Sequence, residues 1–566
     1  VHILGLSALA RDTAAALLGD AGVLAAIEES KLARRRDADG IPREAARFCL
    51  EYAHVSWRDL ATVAVASRPL RAWARAARLR LAALPVAPFS TGYYLAKAFG
   101  DLGRELNNFR ILRLLAGDAR RVAAFDHHLC HAASAFFGSP FDRAAVLTLD
   151  EQGEGICGVL ALGEGARLRV LRRIRFPHSP AWVFTQVTDL LGFAPRREEH
   201  KTQWLALEGE AKYRELFLAM LGAGSASAPR LRRRYFSRGL AGRLAFGPRF
   251  YRELGVAEAD RERMSPEMRS ALAASVQAAC TEIALALAEG LRVRTGAKNL
   301  CLAGGLFLNP LLASELAARA GFDGVFVQPA AGNEGTALGA AWLARHSLHG
   351  LPRIAPPASL ALGPAAENAE IKRVLDNAKA RYRWLNTEDE RIAETVALLD
   401  AGKIVGWFQG RAEFGPRALG HRSLLASPWA EYVRENLNEY VKRREGFRPF
   451  AISVAAERAG EWFEETAQAA QMTGLARARP EARGMLEGFL LPGDRVRLHA
   501  VARDTNPALW RLLAAFGRRA RAPMLVNTSF NLFGEPLAVA PRDAVRSYFC
   551  SGIDALVIGN FLLAKD

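Results

Sequence analysis

The sequence predicts an α/β protein of two domains, and three observations carry that reading. A chain of 566 residues exceeds what one hydrophobic core normally organises. Short apolar runs repeatedly end in glycine-rich or charged turns that open into helices, the pattern of strands feeding a layered α/β fold. The stretch 346–366, rich in Pro, Gly and Ala, reads as a linker between a first domain over 1–355 and a second over 367–566. No internal repeat is visible.

Taken in order, residues 1–6, 13–19 and 23–28 read as strands, with a turn at Gly19-Asp20-Ala21-Gly22, and 43–53 reads as a helix. This β-β-β-α order resembles the start of an actin-, sugar-kinase- or Hsp70-like half-domain. Basic amphipathic helices are expected over about 70–120, as a helical insertion packing on the domain. A strand at 122–125 precedes a helix that begins at His127, and another at 144–149 ends in Asp150-Glu151-Gln152-Gly153-Glu154. A long helix over 270–295 leads to a strand at 299–303, Gly304-Gly305 and a new helix. A further turn over 328–335 precedes a helix over 336–345. In the second domain a strand at 404–408 aims the run Arg411-Ala412-Glu413-Phe414-Gly415-Pro416-Arg417-Ala418-Leu419-Gly420-His421-Arg422-Ser423 from a sheet edge.

Composition limits the function classes. Half the residues are hydrophobic, 24% are charged and mean hydropathy is near zero, as in a soluble globular protein. No run of about 18 apolar residues offers a membrane span, and no signal peptide opens the chain. The net charge of +17 calls for an anionic partner: nucleic acid, an anionic membrane surface or a phosphorylated small molecule. Six scattered cysteines without a C-x-x-C pair read as buried free thiols in a reducing cytoplasm.

Two sets of residues carry chemistry. His127 and His131 lie four apart on one helical face, and Asp150 closes the next strand. Two imidazoles and a carboxylate suit Fe(II), with Zn(II) or Mn(II) as alternatives. In the second domain the arginine loop, Lys442-Arg443-Arg444-Glu445-Gly446-Phe447-Arg448-Pro449-Phe450, and Asn527-Thr528-Ser529-Phe530-Asn531 with Gly534-Glu535-Pro536 supply cations for phosphate and amides or hydroxyls for a planar group. Gly304 and Gly305 permit backbone approach to a nucleotide or acyl group near a helix N-terminus.

These pieces, with His127-His128-Leu129-Cys130-His131 and Ala303-Gly304-Gly305-Leu306-Phe307-Leu308-Asn309, resemble the O-carbamoyltransferases of the nodulation and antibiotic-tailoring type along nearly the whole chain. The resemblance implies an actin/Hsp70/sugar-kinase-like duplicated N-terminal domain, similar to the protein that transfers threonylcarbamoyl to tRNA, and a YrdC-like C-terminal domain. It implies that carbamoyl phosphate and ATP give carbamoyl-adenylate, and that the carbamoyl group passes to a hydroxyl of a sugar-containing or secondary-metabolite acceptor. By the same resemblance Asp12, Arg417, Lys442 and Arg444 are catalytic. Gly304, Gly305, Asn309, Arg411, Arg422, Arg448, Arg503, Asn527, Ser529 and Asn531 bind nucleotide or carbamoyl phosphate. His127, His131, Asp150 and Asn333 hold a divalent metal, Fe(II) first, with Mg(II) accompanying ATP.

The match departs from the family pattern at Arg11, where a histidine is expected, at Glu151 and Trp204 in place of glycines, and at Asn333 in place of a metal-binding aspartate, where Glu334 is a substitute ligand. Two other readings follow: a degenerate nucleotide-binding or regulatory homologue, and a tRNA-modifying enzyme using carbamoyl-adenylate. No nucleic-acid-binding module is evident, and the oligomeric state stays open, a homodimer among the options.

Overall fold

The computed structural model describes residues 1–8, 11–36, 38–68, 119–222, 229–238, 244–257, 263–464 and 467–565, with 103, 106, 107, 110 and 117 between them. The basic helices expected over about 70–120 therefore lie almost wholly outside the described residues. The chain forms two compact units: residues 1–22, 39–46 and 50–356 in one, and 23–38, 47–49 and 357–566 in the other.

The first unit repeats one topology that no sequence repeat discloses. The strand His2–Ser7 pairs antiparallel with Ala14–Leu18 and parallel with Leu60–Val65, which pairs parallel with Val122–Ala124. In a second sheet Arg143–Gly153 pairs antiparallel with Ile156–Glu164 and parallel with Asn299–Ala303, which pairs parallel with Gly324–Val327. The strand Arg167–Arg175 extends the second sheet beyond the hairpin. Each sheet is thus a hairpin followed by two parallel strands, a duplicated α/β plan.

Two helices lie between the sheets. Thr336–Leu343 packs on the first sheet, His127–Phe137 packs on the second, and the two helices pack on each other. Small residues make this closeness feasible: a Cβ on Gly5 would meet the Ala337 carbonyl oxygen at 2.0 Å, and one on Gly339 would meet the Cys130 carbonyl oxygen at 1.8 Å. The helix Pro266–Thr295 begins four residues earlier than the apolar pattern suggests, because Ser265 accepts the Met268 N–H and Pro266 occupies the first turn. It is long and apolar enough to cross a membrane, yet 78% of its apolar window is buried within the unit.

The second unit is built on a nine-stranded mixed sheet. Its order is Arg383–Trp384, Phe561–Ala564, Ala555–Ile558, Val405–Phe408, Arg422–Ala426, Met524–Ser529, Ala451–Ala455, Arg495–Val501 and Ala476–Arg477. Apolar layers cover both faces: Leu424, Val454 and Phe530 belong to one, Trp407, Leu425 and Leu525 to the other. The central register sets Ser529 opposite Ser423 and Asn527 opposite both Leu425 and Ala451. The early segment Val23–Glu28 with the short helix Glu29–Ala33 packs in this unit, where the Ala26 N–H donates to the Leu362 carbonyl over 3.1 Å.

All six cysteines are free thiols, five of them buried; Cys550 is exposed, at the end of the amphipathic helix Pro541–Phe549, whose polar face its position continues.

Candidate functional sites

In the first unit the polar residues gather at the carboxyl ends of parallel strands, where chain turns converge. Val122–Ala124 leads through Asp126 into the helix that starts at His127. Arg143–Gly153 ends at Asp150 to Gly153, and Asn299–Ala303 ends at Gly304-Gly305.

The Nε2 atoms of His127 and His131 lie 3.1 Å apart, and Asp150 Oδ2 is 3.2 Å from His131 Nε2 and 4.0 Å from His127 Nε2. Asp150 Oδ1 accepts the Glu151 N–H over 2.6 Å, which turns Oδ2 toward the imidazoles. Burial works to raise the Asp150 pKa, but the hydrogen bonds to His127 and His131 outweigh it and hold the carboxyl well below its usual range. Burial pushes His131 down, against the pull of Asp150, so the imidazole is held toward its neutral, lone-pair-bearing form. Two imidazole nitrogens and one carboxylate oxygen converging in this way fit a first-row divalent ion.

Glycines create the room. A Cβ on Gly153 would strike His127 Cδ2 at 2.1 Å, and one on Gly305 would stand 3.2 Å from Asp150 Oδ1. Gly304 has φ 100° and lies against the Leu149 carbonyl, where a Cβ would meet the oxygen at 2.2 Å. His128 faces away from the cluster. Its Nε2 donates to the Ile156 carbonyl over 2.9 Å, and its Nδ1 accepts from the Thr148 hydroxyl, itself bonded by the Val159 N–H. That chain of donors fixes a neutral tautomer and ties the helix to the second sheet.

Other expected residues are placed differently. The Asn309 carboxamide caps the helix Pro310–Arg319 through the Leu312 N–H and pairs with Gln277 over 2.7 Å, a helix-start role rather than one in an open pocket. Asn333 sits in the turn that opens Thr336–Leu343, its carbonyl accepting from Thr336 Oγ1. Glu334, the substitute ligand, turns one oxygen back onto the Gly332 N–H and is not part of the His127, His131, Asp150 cluster. Asp12 is exposed, in a left-handed conformation between the first two strands. Glu151 is held by a two-pronged pair from Arg196, with contacts of 2.6 and 2.5 Å, and Trp204 is buried.

The second unit contains a dense cationic site. The helical run at Val433–Glu435 widens into a π turn over Asn436–Lys442, and Arg443 then takes a left-handed conformation. This local irregularity swings Lys442 inward. Lys442 is 5% exposed. Its Nζ donates to the Ser529 carbonyl, to the Asn531 carbonyl at 3.0 Å and to Asn531 Oδ1 at 2.9 Å. Burial, then Arg444 and Arg448, pushes its pKa well down.

Arg444 stacks 4.4 Å from the Phe450 ring centre and donates to Asn438 Oδ1, and burial with Arg448 lowers it to about 9. Burial lowers Arg417 to about 10. Arg497, which the motif reading missed, is pushed well down by burial and then by Arg417, Arg444 and Arg448. Its position in Arg495-Val496-Arg497-Leu498-His499, where charged and apolar residues alternate along a strand, was the available signal. Three arginines and a lysine pushed down by burial, with Arg448 adding to the depression of Lys442, Arg444 and Arg497, mark a place that favours anions.

Beside it lies a neutral network. Asn527 Nδ2 donates to Ser453 Oγ over 3.0 Å, Ser453 Oγ lies 2.9 Å from His499 Nδ1, and burial lowers His499 to about 4. Arg411, Arg422 and Arg503 depart from the phosphate-clamp reading. Arg411 donates to the carbonyls of Gly363, Leu362 and Leu24. Arg422 is fully buried, 3.6 Å above the Phe408 ring, with bonds to the carbonyls of Gln409, His421, Pro364 and Gly410. Both brace backbone that a loop without regular ladder bonds leaves unsatisfied. Arg503 is exposed and lies over Trp510.

Residues 2–342 match the family described as carbamoyltransferase N-terminus, and residues 396–565 match carbamoyltransferase C-terminus. The chain belongs to the carbamoyltransferase family and is a transferase enzyme. It is 34% identical to the uncharacterized protein sll1178 of Synechocystis sp., across 100% of this chain and 97% of that protein. It is 32% identical to nodulation protein NolNO of Sinorhizobium fredii, across 98% of this chain and 79% of that one. A 3'-hydroxymethylcephem-O-carbamoyltransferase of Amycolatopsis lactamdurans is 34% identical over 46% of this chain and 48% of its own.

Proposed function

We propose that the enzyme is an O-carbamoyltransferase that forms carbamoyl-adenylate from carbamoyl phosphate and ATP and transfers the carbamoyl group to a hydroxyl of a sugar-containing or secondary-metabolite acceptor. The observation that carries this reading is the convergence of Lys442, Ser529 and Asn531 beside Arg444, within the electrostatic reach of Arg448, Arg417 and Arg497. A triphosphate and an acyl phosphate bring several negative charges, and buried cations already fixed in place stabilise charge that builds as phosphate leaves. The balance is carbamoyl phosphate, ATP and water giving carbamoyl-adenylate, pyrophosphate and phosphate. The acceptor hydroxyl then takes the carbamoyl group and releases AMP.

Among the protein groups, Lys442 and Arg444 hold phosphoryl oxygens. Ser529 and Asn531 offer the neutral donors and acceptors that a planar carbamoyl group needs. In the first unit His127, His131 and Asp150 would hold a divalent metal, Fe(II) by donor set, which supplies a Lewis acid when bound. Gly305, partly exposed, leaves backbone open beside that cluster, while Gly304 is buried with its N–H on the Ala331 carbonyl and shapes the turn. The relative named as a 3'-hydroxymethylcephem-O-carbamoyltransferase supports a small-molecule acceptor, and free cysteines support a reducing cytoplasm as the setting.

The test is pyrophosphate release from ATP by the purified protein. Release that depends on carbamoyl phosphate supports the reading. Release without it, or none in its presence, refutes it.

A further inference from the structure

The donor-site loops of the second unit are held by side chains from the start of the chain. Lys31, 7% exposed, sends its Nζ to the carbonyls of Glu413 at 2.7 Å and Gly415 at 2.8 Å and to Glu28 Oε1 at 2.9 Å. Glu28 Oε1 also accepts the Gly415 N–H over 2.8 Å. Gly415 has φ 101° and stands two residues before Arg417, so these three contacts to the loop, braced by the Lys31–Glu28 pair, fix the backbone from which Arg417 projects. The same loop is closed on its inner side by Glu413 Oε1, which accepts the N–H groups of Leu419, His421 and Arg422.

Three residues further on, Arg34 reaches the other loop. Its Nη1 donates to the carbonyls of Pro536 at 3.0 Å and Leu537 at 2.6 Å, Nη2 is 3.3 Å from Glu535 Oε2, and Nε is 3.3 Å from Asp543 Oδ1. The Glu535 carbonyl in turn accepts Asn531 Nδ2 over 2.8 Å. Arg34 itself is left-handed, φ 56°, at the end of the helix Glu29–Ala33, and that turn directs its side chain onto the loop.

We infer that Lys31 and Arg34 are positioning residues for carbamoyl activation: one short helix clasps both the Arg417 loop and the loop behind Ser529 and Asn531. The inference rests on the reading that those loops hold the donor. Neither Lys31 nor Arg34 touches the reacting groups. They act through backbone placement, and misplacement of a clamping group by a fraction of its hydrogen-bond length is enough to slow a positioned reaction.

The test uses the full chain with two variants. Glu28→Met with Lys31→Met removes one clasp without leaving a buried charge unpaired, and Arg34→Gln removes the other from a half-buried position. Carbamoyl phosphate and ATP are each titrated in the pyrophosphate-release assay, and hydrogen exchange is followed over 412–423 and 529–537. The expected result is a rise of about tenfold or more in KM for carbamoyl phosphate and ATP. Arg34→Lys should recover part of the loss, because one ammonium can still reach a loop carbonyl. Wild-type donor KM values in folded variants overturn the inference, as does a uniform fall in kcat that merely follows a lower Tm. If the wild type shows no carbamoyl-phosphate-dependent pyrophosphate release, the functional reading falls separately. Exchange then decides the clasp alone: faster exchange in the two loops upholds it, and unchanged exchange overturns it.

Discussion

Lys442 Nζ and Asn531 Oδ1 are 2.9 Å apart, and Ser529 Oγ donates to the same oxygen over 2.7 Å. Among the described residues every hydrogen-bond partner of Lys442 is an uncharged oxygen, so an ammonium here is held by dipoles alone while Arg444 and Arg448 oppose it. Such a group stabilises an incoming anion better than it stabilises the fold.

Lys442→Met should therefore separate activity from stability. Carbamoyl-phosphate-dependent pyrophosphate release is expected to fall by about 100-fold or more, since a charge-assisted contact to the leaving group is lost. Calorimetry should show a Tm no lower than wild type.

Anions should stabilise the enzyme. Pyrophosphate at about 100 times its Kd should add about 2.7 kcal/mol, read as a rise in Tm that shrinks as ionic strength increases. Arg444→Met should remove most of that rise, because Arg444 is a buried cation already pushed down by burial and Arg448, which an incoming anion relieves.

A pH effect follows from His499, buried against Ser453 and lowered to about 4. The unfolded chain takes up a proton near pH 6.5 while the folded imidazole resists it. Its contribution is thus fully present above about 6.5 and is lost as pH falls toward 4, about 3 kcal/mol in all. Urea titrations between pH 4 and 7 should show a flatter profile for His499→Gln than for wild type.

Much of this organisation is legible in the residues themselves. The four-residue spacing of His127 and His131 implies a shared helical face, and the strand ending at Asp150 supplies the carboxylate. What escapes is whatever depends on strand register or on chain far away. Arg497 lies in a strand with no turn signal, and only the pairing of Arg495–Val501 with Ala451–Ala455 sets His499 opposite Ser453. Arg411 and Arg422 carry the residue type of a phosphate clamp, yet neighbouring unsatisfied carbonyls claim them, a competition that spacing does not record. The duplicated sheets are expected from the family resemblance alone and leave no internal sequence repeat, because hairpin and parallel strands constrain apolar alternation rather than particular side chains.

Metal content should respond to a residue that offers no ligand. Gly153→Ala places a methyl against the His127 ring, and metal per chain, measured by elemental analysis, should drop about tenfold or more, as when a group that orients a ligand is changed. Asp150→Asn should do the same with the ring left in place. A wild-type preparation free of divalent metal after reconstitution with Fe(II), Zn(II) and Mn(II) would refute the assignment.

The repulsion among Lys442, Arg444, Arg448 and Arg497 bears on how this protein changes over generations. Replacing any one of them with an apolar residue relieves its neighbours, so selection for a sturdier fold alone would erase the set by drift. Their joint survival in a lineage requires a continuing demand from chemistry, and a lineage released from that demand should lose these cations before it loses its core.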